Sequence, residues 1–411
     1  MPKAKRMKHI ILVNRFFYPD ESATAQILTD LAGHLGANGD RVSVITSRLS
    51  YADQDVRYAP FEQIENVDIF RVPTTGFGRA GLLGRAVDYL SFYISSVLAV
   101  LKIARRGSLL VIKTDPPLLG VPIGLAGRLK RAIRINWLQD LFPEVATELG
   151  VKPPLVGLLN YVRNRSLRQA SMNVAIGERM ASRLEQLGVA SDRIDIIHNF
   201  SDDEALRDSA VGSEALRQEW GFSSSDFIIG YSGNLGRAHD FGTILEAARR
   251  LKAHTSIKFL FIGGGHLRQE VELQSEVHGL GNLIFKPYQP RQALARSLSL
   301  PDMHWISLRP EMEGLIVPSK LYGITAIGRG VIMIGDPAGE IGRLIARHEF
   351  GVTVAAGEGA ELADLIIRLS NDPAQCKRMA TKASLFTENY GSQRLAFDKW
   401  RTLIERLAPD E

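Results

Sequence analysis

The residues best suited to chemistry lie in one loop, between a buried strand that ends at Leu308 and a helical pattern that follows it. Acidic and basic groups at the carboxyl end of a strand are positioned to meet a polar, charged ligand. Pro318 favours the first turn of that helix, near the positive end of its dipole. The pattern favours a phosphate site over a solvated charged loop, and its candidates are Arg309, Glu311, Glu313, Ser319 and Lys320.

A second candidate is the glycine-containing turn GYSGNLGRAHD at 230–240, which precedes a predicted helix at 241–251. Gly233 and Gly236 permit a tight turn, and the helix would offer backbone N–H groups to an anion. Arg237 and His239 would add positive charge. Because many α/β turns need glycine for backbone reasons alone, a purely structural turn is the competing interpretation. The run 263–265, GGG, follows another predicted strand and leaves the same two alternatives open.

The elements that must position these loops are short β-branched runs alternating with helical patterns. Many of the runs are apolar nearly throughout, which is typical of parallel sheets covered by helices on both faces. A polar stretch at 201–226 separates two series and predicts an interdomain connection. We therefore expect an α/β protein with two doubly wound domains facing a cleft. The predicted strands are 9–14, 41–46, 67–70, 109–114, 132–137, 172–176 and 193–199, then 226–233, 257–263, 282–286, 303–308, 331–335 and 351–354.

Composition limits the class of protein. The chain has 411 residues, of which 45% are hydrophobic and 23% charged, so a disordered or fibrous chain is excluded. The single cysteine, Cys376, excludes a disulfide framework and fits a reducing cytoplasm. The nine histidines show no zinc-binding spacing, so no metal is predicted. The basic start, followed by a short apolar run, predicts no signal peptide.

Charge is distributed unevenly. Residues 1–199 contain 26 Lys and Arg against 18 Asp and Glu, whereas residues 200–411 contain 24 against 27. A basic half fits nucleic acid or an anionic membrane surface. Because the chain has no aromatic-interleaved basic stretch, finger or heptad array, nucleic acid is not predicted as a partner.

One segment, 79–106, is unusually apolar between basic flanks. Its uncharged run, Tyr89 to Leu101, is too short to cross a bilayer, which needs about 20 residues. A long buried crossover helix and a helix lying at the membrane interface remain equal alternatives. A second apolar run at 116–127 also leads into basic residues, so membrane proximity is plausible. The flanking bases are Arg79, Arg85, Lys102, Arg105, Arg106, Arg128, Lys130, Arg131 and Arg134.

Several of these motifs together resemble the retaining GT-B glycosyltransferases of family 4, most closely the WbuB/WcaI-like group of bacterial surface-polysaccharide assembly. The most specific are GYSGNLGRAHDFGTILEAARRL, HNFSDD and RPEMEGLIVPSKLYGITAIGRGVIMIG in the second half. LVNRFFYPDESATAQILTDLAGHLGANGDRVSVIT, KTDPPLLGVPIG and WLQDLFPEVATELG support it in the first half. The resemblance covers nearly the whole chain.

The resemblance implies roles for individual residues. Asn234, Gly236, Arg237 and Lys320 match positions that contact the donor diphosphate. Ser319, beside Lys320 at the predicted helix start, and Gly264, in the glycine run, are further donor-binding candidates from the sequence itself. Glu313 or Glu311 matches the first glutamate of the E-x7-E motif, and Glu313 is preferred because it directly precedes Gly314 and Leu315. This catalytic glutamate would hold donor-sugar hydroxyls rather than attack. The second motif glutamate, which usually holds the ribose, is replaced by Gly323. Asp140 lies where many relatives carry a histidine near the reacting centre.

The resemblance further implies a metal-free transfer, without a cofactor, from a nucleotide sugar with UDP as the expected nucleotide. The implied acceptor is a polyprenyl-diphosphate saccharide at the inner face of the cell membrane, with the enzyme in the cytoplasm. The expected domains are 1–203 and 204–390, with a helix at 391–411 crossing back onto the first. A plain terminal helix of the second domain is the alternative for that last segment. A UDP-sugar epimerase and a non-catalytic nucleotide-sugar-binding partner are the alternative functions.

Overall fold

The structure is a computed structural model that describes residues 7–53, 55–78, 81–208 and 212–408. Arg79, one of the basic flanks of the apolar segment, lies outside the described residues. The chain forms two compact units, one of residues up to Ile197 together with those from Phe397, and one from His198 to Ala396. The first expected division, 203/204, lies six residues after the observed junction at 197/198. The second, 390/391, lies six residues before the observed junction at 396/397.

The first unit is built on a sheet whose described strands run in the order β3-β4-β2-β1-β5-β6-β7-β8. All neighbours pair in parallel except β3 and β4, which form an antiparallel hairpin. Every strand predicted for this half is present. The sequence analysis missed β3, because its FEQI residues are exposed and partly polar. The strands are β1 His9–Val13, β2 Arg41–Ser47, β3 Phe61–Ile64, β4 Val67–Val72, β5 Leu109–Lys113, β6 Ile133–Trp137, β7 Met172–Ala175 and β8 Ile194–Ile196.

Helices cover both faces of this sheet and connect its parallel strands. They are α1 Ala23–Ala37, α2 Leu82–Ile103, α3 Gly120–Leu129, α4 Glu144–Glu148, α5 Val156–Gln169 and α6 Glu178–Gln186. The last helix, α16 (Gln393–Leu407), contributes most of its length to the same unit. There the fully buried Trp400 ring lies 4.7 Å from the Trp137 ring, and Phe397 stacks on His34 at 4.2 Å.

The second unit has a sheet of described strands in the order β11-β10-β9-β12-β13-β14, all parallel. Each of its predicted strands is confirmed. This order is that of a doubly wound Rossmann-like domain, with the change of direction between β9 and β12. The strands are β9 Phe227–Ser232, β10 Ile257–Ile262, β11 Leu283–Lys286, β12 Met303–Ser307, β13 Gly330–Ile334 and β14 Gly351–Val354.

The helices of the second unit pack their apolar faces against this sheet. The polar stretch at 201–226 is not a separate connection, as the sequence suggested, because it contains α7 and α8 and buries Leu216 within the second unit. The helices are α7 Asp203–Asp208, α8 Ser213–Glu219, α9 Gly242–Arg250, α10 Arg268–Val277, α11 Arg291–Ser299, α12 Lys320–Ala326, α13 Glu340–His348, α14 Gly359–Asn371 and α15 Pro373–Phe386.

The apolar segment forms the long helix α2. It is the crossover between β4 and β5, and its inner positions Asp88, Phe92, Ser96 and Val100 are fully buried. Its outer face is exposed and apolar, so the buried-helix interpretation is wrong for that face. By length and composition alone, Leu83–Ile103 is long and apolar enough to cross a bilayer. The expectation that the segment is too short was wrong in this respect, because it counted only the uncharged run.

Candidate active site

The candidate site of the second unit lies at the carboxyl ends of β9, β10 and β12. The turn after β9 and the turn after β10 are joined by backbone hydrogen bonds, from Leu235 N–H to the Gly264 carbonyl at 2.7 Å and from Leu267 N–H to the Leu235 carbonyl at 3.0 Å. Gly263, with φ of +131°, lies so close to the Gly233 carbonyl that a Cβ would clash at 2.2 Å. The glycines therefore hold the two turns together, which supports a structural part in both motifs.

Lys320 lies at the centre of this arrangement. Its Nζ is 3.2 Å from His239 Nε2 and 4.9 Å from the centre of the Tyr231 ring. Its Cε would be 2.8 Å from a Cβ on Gly233, so the glycine turn leaves room for the lysine chain. Burial lowers the pKa of Lys320 to about 8. The structure thus brings the predicted lysine and the predicted glycine turn into direct contact.

His239 does not add positive charge, as the sequence suggested. Burial and the neighbouring Lys320 lower its pKa to about 3, so the ring is neutral. The neutral ring donates from Nδ1 to the Ser307 carbonyl at 2.6 Å and accepts the lysine hydrogen bond at Nε2. A neutral acceptor orients the ammonium group without cancelling its charge.

The other residues predicted for the diphosphate occupy the same turns. Arg237 is exposed, and its Nη2 lies 2.6 Å from His266 Nε2. Asn234 is exposed, and its carbonyl accepts a hydrogen bond from the Tyr231 hydroxyl at 2.6 Å. Gly236 donates its N–H to the Asn234 carbonyl. Gly264 lies against the Tyr288 ring.

The two helix N-termini proposed as anion sites are less available than the sequence suggested. At α9, the Asp240 carboxylate accepts from Thr243 N–H at 2.9 Å, so the first turn already has an anionic cap. At α12, the helix begins at Lys320, and Pro318 lies before it rather than in its first turn. Ser319 is the N-cap residue, with no capping hydrogen bond from its side chain. The charge of Lys320 itself, and not the helix end, is the stronger feature.

The two candidate glutamates differ in environment. Glu313 Oε2 accepts from Glu340 N–H at 2.9 Å, at the start of α13. A Cβ on Gly339 would overlap the Glu313 carboxylate at 2.3 Å, so this glycine is what lets the carboxylate approach the helix end. Glu311 is half exposed and lies 3.7 Å from the Arg309 guanidinium. Gly323 lies on α12, where a Cβ would meet the Leu298 side chain at 3.6 Å.

A second polar cluster lies in the first unit, at the carboxyl ends of β1, β5 and β6. Lys113 is fully buried, donates to the Thr24 carbonyl at 2.9 Å and lies 4.1 Å from the centre of the Trp137 ring. Asp140 follows β6, and Gln139 N–H donates to Thr114 Oγ1 at 3.2 Å, which ties the two loops together. Lys113, Thr114 and Asp140 line a cavity of about 40 Å³, room for a few water molecules.

Burial dominates the acid–base properties of this cluster. It raises the pKa of Asp140 to about 7, helped by the charge of Asp115 and opposed by Thr114 and Lys113. It raises the pKa of Asp115 to about 6, against Arg15 and Lys113. It lowers the pKa of Lys113 to about 7. Ionisable side chains that titrate near neutral pH at the carboxyl ends of strands are typical of functional sites.

Arg15 completes the cluster from the loop after β1. Its backbone N–H donates to the Asp115 carbonyl at 2.9 Å, and its guanidinium is 3.6 Å from the buried Asp88 carboxylate of α2. The sequence analysis assigned no role to Arg15, Lys113 or Asp115. The available signal was the KTD sequence directly after an apolar strand, the same signal that identified Arg309 to Lys320.

The capping contact of Glu313 predicts a difference in stability. Glu313→Ala should lower the free energy of unfolding by about 0.5–2 kcal/mol, the usual cost of losing an N-cap acceptor. Glu311→Ala should change it by about 1 kcal/mol at most, because an exposed ion pair contributes little. Urea denaturation measures both, with Glu313→Gln as the variant that keeps an acceptor oxygen. Equal effects of the two alanine variants would contradict the capping role.

The raised pKa of Asp140 predicts a dependence of stability on pH. Between about pH 4 and 7 the folded protein holds a proton on Asp140 that the unfolded chain releases. The contribution of Asp140 to the free energy of unfolding therefore falls as the pH rises. Asp140→Asn should therefore exceed the wild type in free energy of unfolding at pH 7.5, by at least the ~1.4 kcal/mol of one pKa unit. At pH 4 the difference should largely disappear. A wild-type advantage that grows toward pH 7.5 would show that the carboxylate is stabilised instead.

Two family models match the chain. The model described as "Glycosyl transferase 4-like domain" matches residues 22–199, and the one described as "Glycosyl transferases group 1" matches residues 212–386. The chain is 26% identical over 342 residues to WcaI of Escherichia coli (strain K12), named as a colanic acid biosynthesis glycosyl transferase. That alignment covers 80% of this chain and 83% of WcaI. The glycosyltransferase WbjE of Pseudomonas aeruginosa is 24% identical over 370 residues, covering 88% and 89%.

Solved structures share the fold. HepE of Anabaena, crystallised with UDP-glucose, has a TM-score of 0.73 at 15% identity, covering 98% of this chain and 100% of HepE. Sucrose-phosphate synthase of Thermosynechococcus elongatus has a TM-score of 0.76 at 15% identity, covering 97% and 99%. WaaG, a glycosyltransferase involved in lipopolysaccharide biosynthesis, has a TM-score of 0.72 at 13% identity, covering 96% and 99%. With two Rossmann-like units and both family models in order, the chain belongs to the WcaI-like glycosyltransferases of the GT-B fold.

Proposed function

We propose that this enzyme transfers a sugar from a nucleotide donor, with UDP as the nucleotide, to a lipid-linked saccharide in bacterial surface-polysaccharide synthesis. The observation that carries the donor assignment is Lys320, held against His239 and Tyr231 at the carboxyl end of the second sheet. WcaI is named for colanic acid biosynthesis, and HepE was crystallised with UDP and with UDP-glucose. These relatives support the same chemistry here.

The proposed mechanism rests on charge at the leaving group. As the bond between sugar and phosphate breaks, negative charge develops on the nucleoside diphosphate. Lys320 and Arg237 stabilise it, and because His239 already holds the lysine, little reorganisation accompanies the reaction. Asn234, Gly236 and Gly264 belong to the turns after β9 and β10, Ser319 directly precedes Lys320, and together they complete the diphosphate site. No metal or cofactor takes part in this scheme.

The carboxylates take supporting roles. Glu311 and Glu313 hold donor-sugar hydroxyls rather than attack, and the anomeric configuration is retained through assistance by the departing phosphate. Because Glu313 is engaged by α13, Glu311 is the more accessible of the two. The proton of the acceptor hydroxyl passes to the departing phosphate, and Asp140, whose pKa burial raises to about 7, is the acid–base candidate of the first unit.

A transfer assay tests the donor site. Purified enzyme with UDP-sugars and a bacterial lipid extract should release UDP only when the extract is present. Lys320→Ala and Arg237→Ala should each lower turnover more than tenfold, over ~1.4 kcal/mol of barrier, with Arg250→Ala as an exposed control near wild type. Near-normal turnover in both alanine variants would overturn the assignment.

The same assay tests the dependence on metal and on pH. Activity should persist in EDTA, and it should fall as the pH rises through about 8, where Lys320 loses its proton in the free enzyme.

We also propose that the enzyme is cytoplasmic and works on the inner face of the cell membrane. Helices α2 and α3 are neighbours, as are α3 and α5, and the three helices carry exposed apolar side chains. This surface, the apolar helical face, comprises Leu83, Val87, Leu90, Ile94, Leu98, Leu125, Leu129, Leu155, Leu158 and Tyr161, exposed from 47% to 84%. Exposed apolar patches of this kind mark interaction sites.

Basic residues gather at one end of that face. The Gly107 N–H donates to the Arg131 carbonyl at 3.2 Å, so the chain after α2 meets the chain after α3. This brings together the basic end, made of Lys102, Arg105, Arg106, Arg128, Lys130 and Arg131. Each cation near an anionic membrane contributes on the order of 1 kcal/mol to binding. An apolar surface bounded by cations fits an anionic bilayer.

Vesicle flotation tests the membrane contact. The enzyme should float with vesicles of phosphatidylglycerol and phosphatidylethanolamine. Changing Arg105, Arg106, Arg128 and Lys130 to Glu should abolish flotation. The matched control reverses four exposed bases of the second unit to Glu, and it should float like the wild type; these are Arg249, Arg250, Lys377 and Arg378. If both quadruple variants lose flotation equally, net charge and not this face is responsible.

A further inference from the structure

We infer that the groove between α2 and α3 is a binding site for the polyisoprenoid chain of the lipid-linked acceptor. The inference rests on the proposed function, because it names where the hydrocarbon part of that acceptor binds. The groove has a volume of about 440 Å³, within the range of small-molecule sites. Its lining residues are all apolar apart from the Tyr93 hydroxyl: Leu90, Tyr93, Ile94, Val97, Leu98, Leu118, Val121, Pro122 and Val162.

The shape of the groove suits an extended chain. Leu90, Ile94 and Leu98 lie on successive turns of α2 and line one wall, which spans about 12 Å at 1.5 Å per residue. Val121 and Pro122 of α3 form the opposite wall. The Tyr93 hydroxyl, the one polar group of the lining, donates to the Pro117 carbonyl and is thereby satisfied. A ligand in this groove gains binding free energy only by burying hydrocarbon, as a lipid chain does.

The groove also leads to the predicted acceptor side. Leu118 lines both this groove and the small cavity that holds Lys113, Thr114 and Asp140. A ligand with a hydrocarbon end in the groove therefore has its polar end near the titratable cluster of the first unit. The groove opens onto the apolar helical face. A hydrocarbon site that continues into a polar, titratable cluster specifies an amphiphile with an isoprenoid chain and a polar head, rather than a protein helix.

Photo-crosslinking with benzophenone-tagged farnesyl phosphate, a 15-carbon prenyl phosphate, tests the site. The label should map to residues of α2 and α3 that line the groove, and unlabelled farnesyl phosphate should compete. Val97→Trp combined with Val121→Trp fills the groove and should lower labelling more than tenfold. Ile94→Glu, at a half-exposed position that tolerates charge, should do the same without overpacking. Leu273→Trp, at an exposed apolar position of α10 in the second unit, should label like the wild type.

Separate readouts distinguish the groove from the rest of the proposal. Groove-filled variants should still float with anionic vesicles and still bind UDP. Labelling that is unchanged in these variants, or that maps elsewhere, overturns the groove assignment. A wild-type dimer in analytical sedimentation that becomes a monomer in Ile94→Glu would also overturn the groove assignment, because a second copy of the chain would then occupy the groove. If labelling follows the groove but no UDP-sugar supports transfer, the proposed function fails and the groove assignment stands.

Discussion

The contact of the Lys320 ammonium with His239 Nε2 and the Tyr231 ring is the interaction on which the candidate site depends. Taking a cation out of water is costly unless nearby groups replace its hydration. Here a neutral imidazole and an aromatic face do so, and neither cancels the charge. The ammonium group is thus held in place with its charge available to an anion. Its contact with Gly233 explains why the turn after β9 contains glycine where a side chain would displace the lysine.

Parallel sheets explain why such groups come together. In each unit the carboxyl ends of neighbouring strands meet at one edge, so loops distant in sequence supply one cluster. The first unit repeats the arrangement of the second, with Lys113 buried over the Trp137 ring at the end of β5. The surroundings differ, since Lys113 has Asp115 and Asp140 nearby, whereas Lys320 has His239. The first cluster is suited to proton exchange near neutral pH, and the second to holding an anion.

Much of the fold could be predicted from the sequence, because apolar β-branched runs are a local signal of buried parallel strands. The α/β class, the two Rossmann-like units and the family are confirmed. The strand β3 was missed because Phe61–Ile64 pairs at an exposed edge and lacks that signal. The stretch at 201–226 was misassigned because short polar helices such as α7 and α8 look like a linker until their packing is known.

The site was predictable in its residue types but not in its contacts. The sequence located Lys320 and the glycine turn, yet it could not show that burial makes His239 neutral or that Asp240 caps α9. Both depend on contacts between residues that sequence spacing alone does not specify. Glu313 is a similar case, because its partner at α13 lies well beyond the motif that suggested a catalytic part. The roles of the predicted site residues in transfer stay predictions.

The outer surface of α2 adds a constraint of a different kind. A crossover helix needs only one apolar face, and α2 buries that face at Phe92 and Val100. The apolar residues on its other side are exposed, which supports the proposed contact with a lipid surface. This helix also carries Asp88, the partner of Arg15, so the helix proposed to face the membrane also contributes a side chain to the polar cluster of the first unit.

A crystal structure of the enzyme with UDP tests the central claim most directly. The account predicts diphosphate oxygens within hydrogen-bonding distance of Lys320 Nζ, with Arg237 turned from His266 toward the same phosphates. A diphosphate bound away from the turns after β9 and β10, with the Lys320–His239 contact unchanged, would contradict it.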